Sequence, residues 1–324
     1  AMSGTTNSLV EISNYLYKKN PEGALEEIKK LETKYMGHVE NLYSDAAIKA
    51  KTREFLQDRF VYMRSFAKGV FTSFEEKIIV SQGEIMSTNM MNNFLLEKGI
   101  KSVLIDALSF MRTNKNSEPD LPYIKEHLAA VMEKNPGKQI YITQGFICRN
   151  AYGEVDNLLR GGSDYTASLI GAALPADEIQ IWTDIDGMHN NDPRFVENTK
   201  AVRQLNFEEA AELAYFGAKI LHPTCVQPAK FAGIPVRLKN TMKPDAEGTI
   251  INNEQGKGTI KAVAAKDNIT AIKIKSSRML LATGFLRKVF EIFESYQTPI
   301  DMITTSEVGV SMSIDNDTHL DEIV

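Results

Sequence analysis

The sequence has little cysteine: Cys148 and Cys225 are the two thiols in its 324 residues. Two cysteines are too few for a disulfide framework, so both are expected to be reduced, half-buried side chains of a cytosolic protein. Long apolar runs are lacking, and no basic segment followed by an apolar one opens the chain. These absences argue against a membrane span and a secretory leader, and we expect a cytoplasmic location.

An excess of positive charge is absent as well. Lys and Arg total 37, Asp and Glu total 42, and the net charge is -5. This balance provides no long-range attraction to nucleic acid or anionic lipid, so a small-molecule partner fits better. Hydrophobic residues make up 43% of the chain, which is enough for a core and excludes a disordered chain. The length favours two folded units.

Hydrophobic periodicity predicts an α/β protein. Helical spacing over residues 8–77 indicates two or three helices, interrupted near Pro21 and at Met36-Gly37, and a further helix is predicted over 84–98. Beyond it, short apolar strands alternate with helices, which is typical of a mainly parallel sheet covered on both faces. The predicted elements are strand 103–105, helix 123–133, strand 139–143, helix 164–174, strand 178–183, helix 207–216 and strand 235–238.

A polar, glycine-containing stretch over 252–258 indicates a linker. After it we predict strand 269–274, helix 285–295, strand 300–306 and strand 309–314. This order is the first part of a split βαβ domain, whose second helix and last strand are expected to be missing. The small, polar run over residues 1–7 leads straight into a helical pattern, so an upstream strand is also expected to be missing.

Two adjacent glycines, Gly161 and Gly162, join a predicted loop to a helix. They allow the backbone to approach a ligand closely, and the helix N-terminus presents unpaired amides to an anion. Arg160 suits capture of a carboxylate, while Asp164 suits Mg²⁺ or a cationic phosphate ligand. Alternatively, Ser163 or Asp164 serves only as the helix cap.

Thr183 and Asp184 end a predicted strand, and Arg194 follows after a turn-like segment. Ligands of parallel sheets gather at the carboxyl ends of strands. Thr183 and Asp184 therefore suit the base or ribose of a nucleotide, and Arg194 suits its phosphates. A plain turn is an alternative explanation of Asp186-Gly187.

Lys219 lies at the end of a predicted helix, and Glu84 lies at the start of another. A lysine there complements the helix dipole in any helix, and glutamate is favoured in first turns. Alone, neither position indicates a site.

In their order and spacing, residues 159–164, Trp182-Thr183-Asp184, Asp192-Pro193-Arg194 and 216–223 resemble segments of the aspartate kinases of the amino-acid kinase family. The likeness covers nearly the whole chain. It implies a three-layer αβα amino-acid kinase fold with a mainly parallel sheet over residues 1–255. Residues 256–324 would form a partial ferredoxin-like (ACT) α+β regulatory domain.

The resemblance also implies a reaction. MgATP would phosphorylate the β-carboxylate of L-aspartate, the first step of lysine, threonine and methionine biosynthesis, with Mg²⁺ as the counter-ion of the nucleotide and no protein metal site. Phosphoryl transfer is mostly positioning and charge neutralisation, so the lack of a strong general base is no objection.

Residue roles follow from the same resemblance. Asp164 and Lys219 match catalytic positions. The aspartate-binding positions are matched by Thr6, Glu84, Arg160 and Ser163. The ATP-binding positions are matched by Thr183, Asp184, His189, Arg194, Lys219 and Ile220. His189 stands where relatives often have an aromatic residue, and we expect an altered nucleotide contact there.

The last segment resembles effector-binding segments of ACT domains, most closely those of lysine-inhibited members. A free amino acid, lysine by this resemblance, would bind there across a subunit interface, in a homodimer or higher homo-oligomer. The matching positions are Met279, Thr283, Gly284, Phe285, Leu286, Asp301, Thr305, Ser306 and Glu307.

One departure concerns the family's opening Lys-Phe-Gly-Gly-Thr-like segment, whose lysine neutralises phosphates and which this sequence does not contain. We expect the chain without it to be inactive or nearly so. Two alternatives stay open: a sister kinase acting on glutamate, acetylglutamate or a nucleotide, and a catalytically inactive amino-acid-sensing protein. The Glu84/Arg160 pairing and the sensor-like segment favour aspartate. Retained Asp164, Asp184, Arg194 and Lys219 argue against an inactive protein.

Overall fold

The computed structural model describes residues 1–158, 161–216, 221–255, 260–275 and 283–324. The chain forms two compact units, Ala1–Val263 and Ala264–Val324. The first unit continues past residue 255 because residues 260–263 are attached to it. The Val263 amide donates to the Asn190 carbonyl at 2.9 Å, and Lys261 Nζ lies 2.6 Å from Glu209 Oε2.

The first unit opens with four helices around one apolar cluster that includes Leu9, Ile28 and Phe60. The helix starts follow from local chemistry. Pro21 has the fixed φ of a first helical turn, and the Asn20 side chain accepts a hydrogen bond from a backbone amide of that turn. The helices are α1 (Thr5–Tyr17), α2 (Pro21–Leu42), α3 (Ala46–Ser65) and α4 (Ser73–Glu97).

Two predicted helix limits are wrong. Gly37 lies inside α2, where a Cβ would meet nothing within 4 Å, so it costs the helix only about 1 kcal/mol relative to alanine. The helix expected to begin at Glu84 begins at Ser73, because Thr72 and Glu75 form a capping box there. Glu84 therefore lies in the middle of α4.

The remainder of the first unit alternates strands and helices, as predicted. β1 (Ser102–Ile105) is followed by α5 (Leu121–Glu133) and pairs in parallel with β2 (Ile140–Thr143). β3 (Ile147–Arg149) and β4 (Val155–Asn157) form an antiparallel pair, and α6 (Gly162–Ala173) follows.

A four-stranded, mainly parallel sheet completes the first unit, in the order β5-β7-β8-β6. β5 and β7 are parallel, β8 is antiparallel to β7, and β6 is parallel to β8. Its apolar side chains share a core with those of the helices that cover it. The elements are β5 (Ile179–Thr183), β6 (Gln204–Asn206), α7 (Phe207–Phe216), α8 (Gln227–Ala232), β7 (Val236–Asn240) and β8 (Thr249–Asn252).

The second unit contains the predicted strand-helix-strand-strand order. Its antiparallel sheet has the order β10-β11-β9, and Val289 and Phe293 of the helix pack with Val310 and Met312 of the sheet. The elements are β9 (Thr270–Lys275), α9 (Phe285–Ser295), β10 (Met302–Ser306), β11 (Gly309–Ile314) and α10 (Leu320–Ile323). In the described parts of both units, each helix is too short or too polar to cross a bilayer.

Candidate active site

The glycine pair is held by close packing on both sides. Gly161 has a left-handed φ of +72°, and a Cβ placed on it would lie 2.3 Å from the sulfur of Cys225. The Cys225 thiol donates a hydrogen bond to the Gly161 carbonyl at 3.2 Å. A Cβ on Gly162 would lie 2.6 Å from the ring of Phe146. Only glycine therefore allows this loop to lie between Phe146 and the 3-10 turn Pro223–Val226.

Ser163 and Asp164 lie in the first turn of α6. The N-cap is Gly161, which has no side chain for capping, so the alternative that either residue is merely the helix cap is wrong. Ser163 is exposed and Asp164 is half-buried. Burial raises the pKa of Asp164, and burial together with the Asp164 charge raises the pKa of Cys225 to about 11. A partly desolvated carboxylate gains most from a nearby cation.

α1 starts against the middle of α4, so that Thr5, the neighbour of Thr6, packs beside Gly83, the neighbour of Glu84. A Cβ on Gly83 would lie 3.1 Å from the Thr5 methyl group, so this glycine allows the close approach. Thr6 is exposed and Glu84 is half-buried. The Glu84 charge contributes, after burial, to the raised pKa of Tyr35.

Three residues that the sequence analysis missed connect these two regions. Gln144 follows β2 directly, and its Nε2 donates to Thr88 of α4 at 3.1 Å. A Cβ on Gly145 would lie 3.0 Å from the Cα and Cβ atoms of Ser163. Phe146 has a left-handed φ of 70°, which is rare for an aromatic residue, and strained residues of this kind cluster at functional sites. The available signal was a Gln-Gly-Phe run at the carboxyl end of a predicted strand.

On the other sheet, Thr183 and Asp184 lie at the carboxyl edge of two parallel strands. Thr183 ends β5, and Asn240 ends the neighbouring β7. The Thr183 hydroxyl donates to Asp184 Oδ1 at 3.0 Å. The Asn240 amide donates to the Asp184 carbonyl at 3.1 Å. Both residues are thus fixed at the edge where the sequence predicts a nucleotide, and their assignment to the nucleotide stays a prediction.

His189 is held from two sides. Its Nε2 lies 2.8 Å from Asp186 Oδ1, and its Nδ1 lies 2.8 Å from the hydroxyl of Thr199. The hydrogen bond to His189 lowers the pKa of Asp186. Gly187 has a φ of +120°, so the turn explanation holds for Gly187, whereas Asp186 orients the histidine.

Arg194 is 68% exposed and pairs with Asp192. Its Nε lies 3.0 Å from both carboxylate oxygens, and hydrogen bonds from Arg194 lower the pKa of Asp192. The guanidinium would have to share or leave this pair to hold a phosphate.

Arg160, Lys219, Ile220 and Met279 lie outside the described residues. A Cβ on Gly161 would lie 3.0 Å from His222 Cβ, so the glycine loop contacts the segment that follows residues 217–220. Convergence of Arg160, Asp184 and Lys219 on one pocket stays a prediction.

The predicted effector residues of the second unit lie at the start of α9 and along β10. Gly284 is the N-cap of α9 with a φ of 83°. Phe285 and Ile300 pack against the same apolar cluster, and β10 is an exposed edge strand. Their assignment to an effector stays a prediction. The described residues among them are Thr283, Gly284, Phe285, Leu286, Asp301, Thr305, Ser306 and Glu307.

Comparison with known proteins identifies the family, because the amino acid kinase family matches residues 3–240. The chain belongs to the amino acid kinase family. It is 34% identical over 319 residues to lysine-sensitive aspartokinase 3 of Escherichia coli (strain K12), with 97% of this chain and 70% of that protein covered. It is 40% identical over 247 residues to chloroplastic aspartokinase 1 of Arabidopsis thaliana, with 73% and 43% covered. Within the family, the chain therefore groups with the aspartokinases.

The fold agrees with this assignment. The crystal structure of E. coli aspartokinase III in complex with aspartate and ADP (R-state) superimposes with a TM-score of 0.82 at 34% identity, covering 98% of this chain and 71% of that one. The predicted fold class, an amino-acid kinase fold followed by an ACT-type unit, is confirmed.

The residues present fit a magnesium ion carried by the nucleotide. Among the described residues, no three His, Cys, Asp or Glu side chains are grouped so as to hold a metal ion. Mg²⁺ in kinases is commonly held by one or two carboxylates together with substrate phosphates. The half-buried Asp164 carboxylate suits that arrangement.

Proposed function

We propose that the protein transfers the γ-phosphate of MgATP to the β-carboxylate of L-aspartate, giving 4-phospho-L-aspartate and ADP. One observation carries the proposal. Gly145 contacts Ser163 of the glycine loop, while its neighbour Gln144 is bonded to the helix that carries Glu84. A carboxylate for the substrate amino group and an anion-binding helix start thus lie on either side of the end of β2.

The substrate side can be assigned by chemistry. Glu84 and Thr6 would bind the amino end of aspartate, Arg160 its α-carboxylate, and Ser163 the reacting carboxylate. This carboxylate is already ionised at neutral pH, so its oxygen attacks the γ-phosphorus directly while the bond to the bridging oxygen of ADP breaks. Asp164 would hold Mg²⁺, which neutralises charge on the phosphates. The similarity to a structure that contains aspartate and ADP supports this assignment.

The nucleotide side would be formed by the loops after β5. Thr183 and Asp184 would contact the base or ribose, with His189 beside them. Arg194 would bind phosphate after releasing Asp192, since a guanidinium pairs with either anion. Lys219 and Ile220 complete the predicted set.

For the second unit we infer binding of a free amino acid at the start of α9 and along β10, in a homodimer or higher homo-oligomer. Lysine is the proposed effector because the E. coli relative is named lysine-sensitive. The reaction would then be the first step of lysine, threonine and methionine biosynthesis.

The test is acceptor-dependent ATP consumption by the protein as its organism makes it, with hydroxylamine trapping of the acyl phosphate. We expect turnover with L-aspartate and none above background with L-glutamate, N-acetyl-L-glutamate or no acceptor. Turnover with glutamate alone would indicate the sister kinase. Lysine binding without ATP consumption would indicate the inactive sensing protein. Measuring this activity while lysine, threonine or methionine is titrated tests the identity of the effector. Inhibition by threonine alone would overturn the proposal that lysine is the effector.

A further inference from the structure

Gln144 is a buried polar side chain whose two ends are both hydrogen-bonded. It is 4% exposed and lies directly after β2. Its Oε1 accepts from the Ala107 amide at 2.8 Å, at the carboxyl end of neighbouring β1. Its Nε2 donates to the Thr88 hydroxyl at 3.1 Å. A buried amide bonded in this way ties together the elements that it touches.

Thr88 is in turn hydrogen-bonded to the backbone of Glu84. Its hydroxyl donates to the Glu84 carbonyl at 2.8 Å, one turn earlier in α4. The hydroxyl therefore accepts from Gln144 and donates to Glu84, and serial hydrogen bonds of this kind strengthen one another. The backbone of Glu84 is thereby connected to the ends of β1 and β2.

The turn of α4 that precedes Glu84 contains a destabilising glycine, Gly83. Gly83 lies in the helix interior, where glycine destabilises a helix relative to alanine. The packing also leaves little room for a larger residue, because a Cβ at this position would lie 3.0–3.1 Å from atoms of Ala1, Leu9 and Thr5. The hydrogen bonds from Gln144 through Thr88 stabilise the turn immediately after this glycine.

A second threonine in the helical bundle also donates to a backbone carbonyl and accepts from a buried side-chain amide, but it does not bond to Glu84. Thr52 of α3 donates to the Ile48 carbonyl at 2.8 Å and accepts from the Asn93 amide at 2.9 Å. Asn93 belongs to α4 and is, like Gln144, 4% exposed. This pair joins α4 to α3, and Asn93 also donates to Asn89 Oδ1 at 3.0 Å. None of these hydrogen bonds is made to Glu84, so the pair provides a matched control.

We propose that Gln144 is a positioning residue that acts through Thr88 to set where α4 presents the Glu84 carboxylate, and thereby the affinity for the amino group of the acidic substrate. The role of Glu84 rests on the proposed function. The connection from Gln144 to Thr88 and Glu84 rests on the hydrogen bonds alone.

The test compares Thr88→Val, Gln144→Met and the control Thr52→Val in the whole protein. Each of the first two should raise KM for aspartate about threefold to tenfold, since one hydrogen bond contributes about 0.5–1.5 kcal/mol. KM for ATP should stay within about twofold of the wild-type value. Thr88→Ser, which keeps the hydroxyl, should restore KM for aspartate. The double variant should be no worse than Gln144→Met, because both changes break one chain of bonds. Thr52→Val should lower Tm without changing KM.

An unchanged KM for aspartate in both Thr88→Val and Gln144→Met would overturn the proposal, as would an equal rise in Thr52→Val. A wild-type protein that consumes no ATP with aspartate would instead refute the proposed function. Amide hydrogen exchange of the peptide around Glu84 measures how firmly the variants hold this turn of α4 in place. Exchange should be faster in Thr88→Val than in Thr52→Val, and equal rates would overturn the positioning role.

Discussion

Replacing Gly161 by alanine tests whether the glycine loop needs its close contact with Cys225. Two costs follow from the structure. An L-residue at a φ of +72° costs about 1–2 kcal/mol. A Cβ at 2.3 Å from the Cys225 sulfur forces a shift, and overpacking of this kind costs about 1–3 kcal/mol. The free energy of unfolding should therefore fall by about 2–5 kcal/mol.

Gly137 provides the matched control, because it has a similar φ of +70° and a Cβ there would meet nothing within 4 Å. Gly137→Ala should lower the free energy of unfolding only by the cost of the left-handed φ, about 1–2 kcal/mol. Its activity should be unchanged. Urea unfolding of both variants measures the difference, and ATP consumption with aspartate measures the effect on the site. Gly161→Ala should lose most of its turnover because the loop shifts and displaces Ser163 with it. Equal destabilisation by the two substitutions, or full activity of Gly161→Ala, would refute the reasoning.

Other predictions concern charge and burial. Asp164→Asn should lower kcat by about 100-fold or more, as loss of a transition-state electrostatic contact does. The raised pKa of Asp164 means that stability is lost as pH rises from the ordinary value of 3.8 through the raised one, so the variant should be more resistant to urea at pH 7, and the gain should vanish toward pH 3.8. A less stable variant at pH 7 would contradict this. Asp186→Asn should raise KM for ATP about threefold to tenfold by releasing His189. An unchanged KM would contradict that orientation. Iodoacetamide at pH 7 should modify Cys148 and Cys225 far more slowly in the native than in the unfolded protein, because burial raises their pKa values to about 12 and about 11 and the thiolate is the nucleophile. Equal labelling rates would contradict their burial.

Local chemistry determined most elements of the fold. Periodicity predicted the helix over 285–295 and its neighbouring strands because each apolar face is a property of the local sequence. Three of the missed strands, β3 (Ile147–Arg149), β4 (Val155–Asn157) and β6 (Gln204–Asn206), have three residues each, too few to show an alternation. The start of α4 was missed because its capping box at Thr72 and Glu75 lies within residues 8–77, where the helical spacing continues from the preceding helices.

For the candidate site, the sequence by itself determined the polar strand end at Thr183-Asp184 and the glycine pair before α6. Only the tertiary structure decided what these groups contact. Gln144 bonds a threonine 56 positions earlier, and Cys225 packs on a glycine 64 positions earlier. Neither residue type has a local pattern that indicates such a partner. Contacts of this range depend on how helices and sheet pack together, which periodicity and capping leave undetermined.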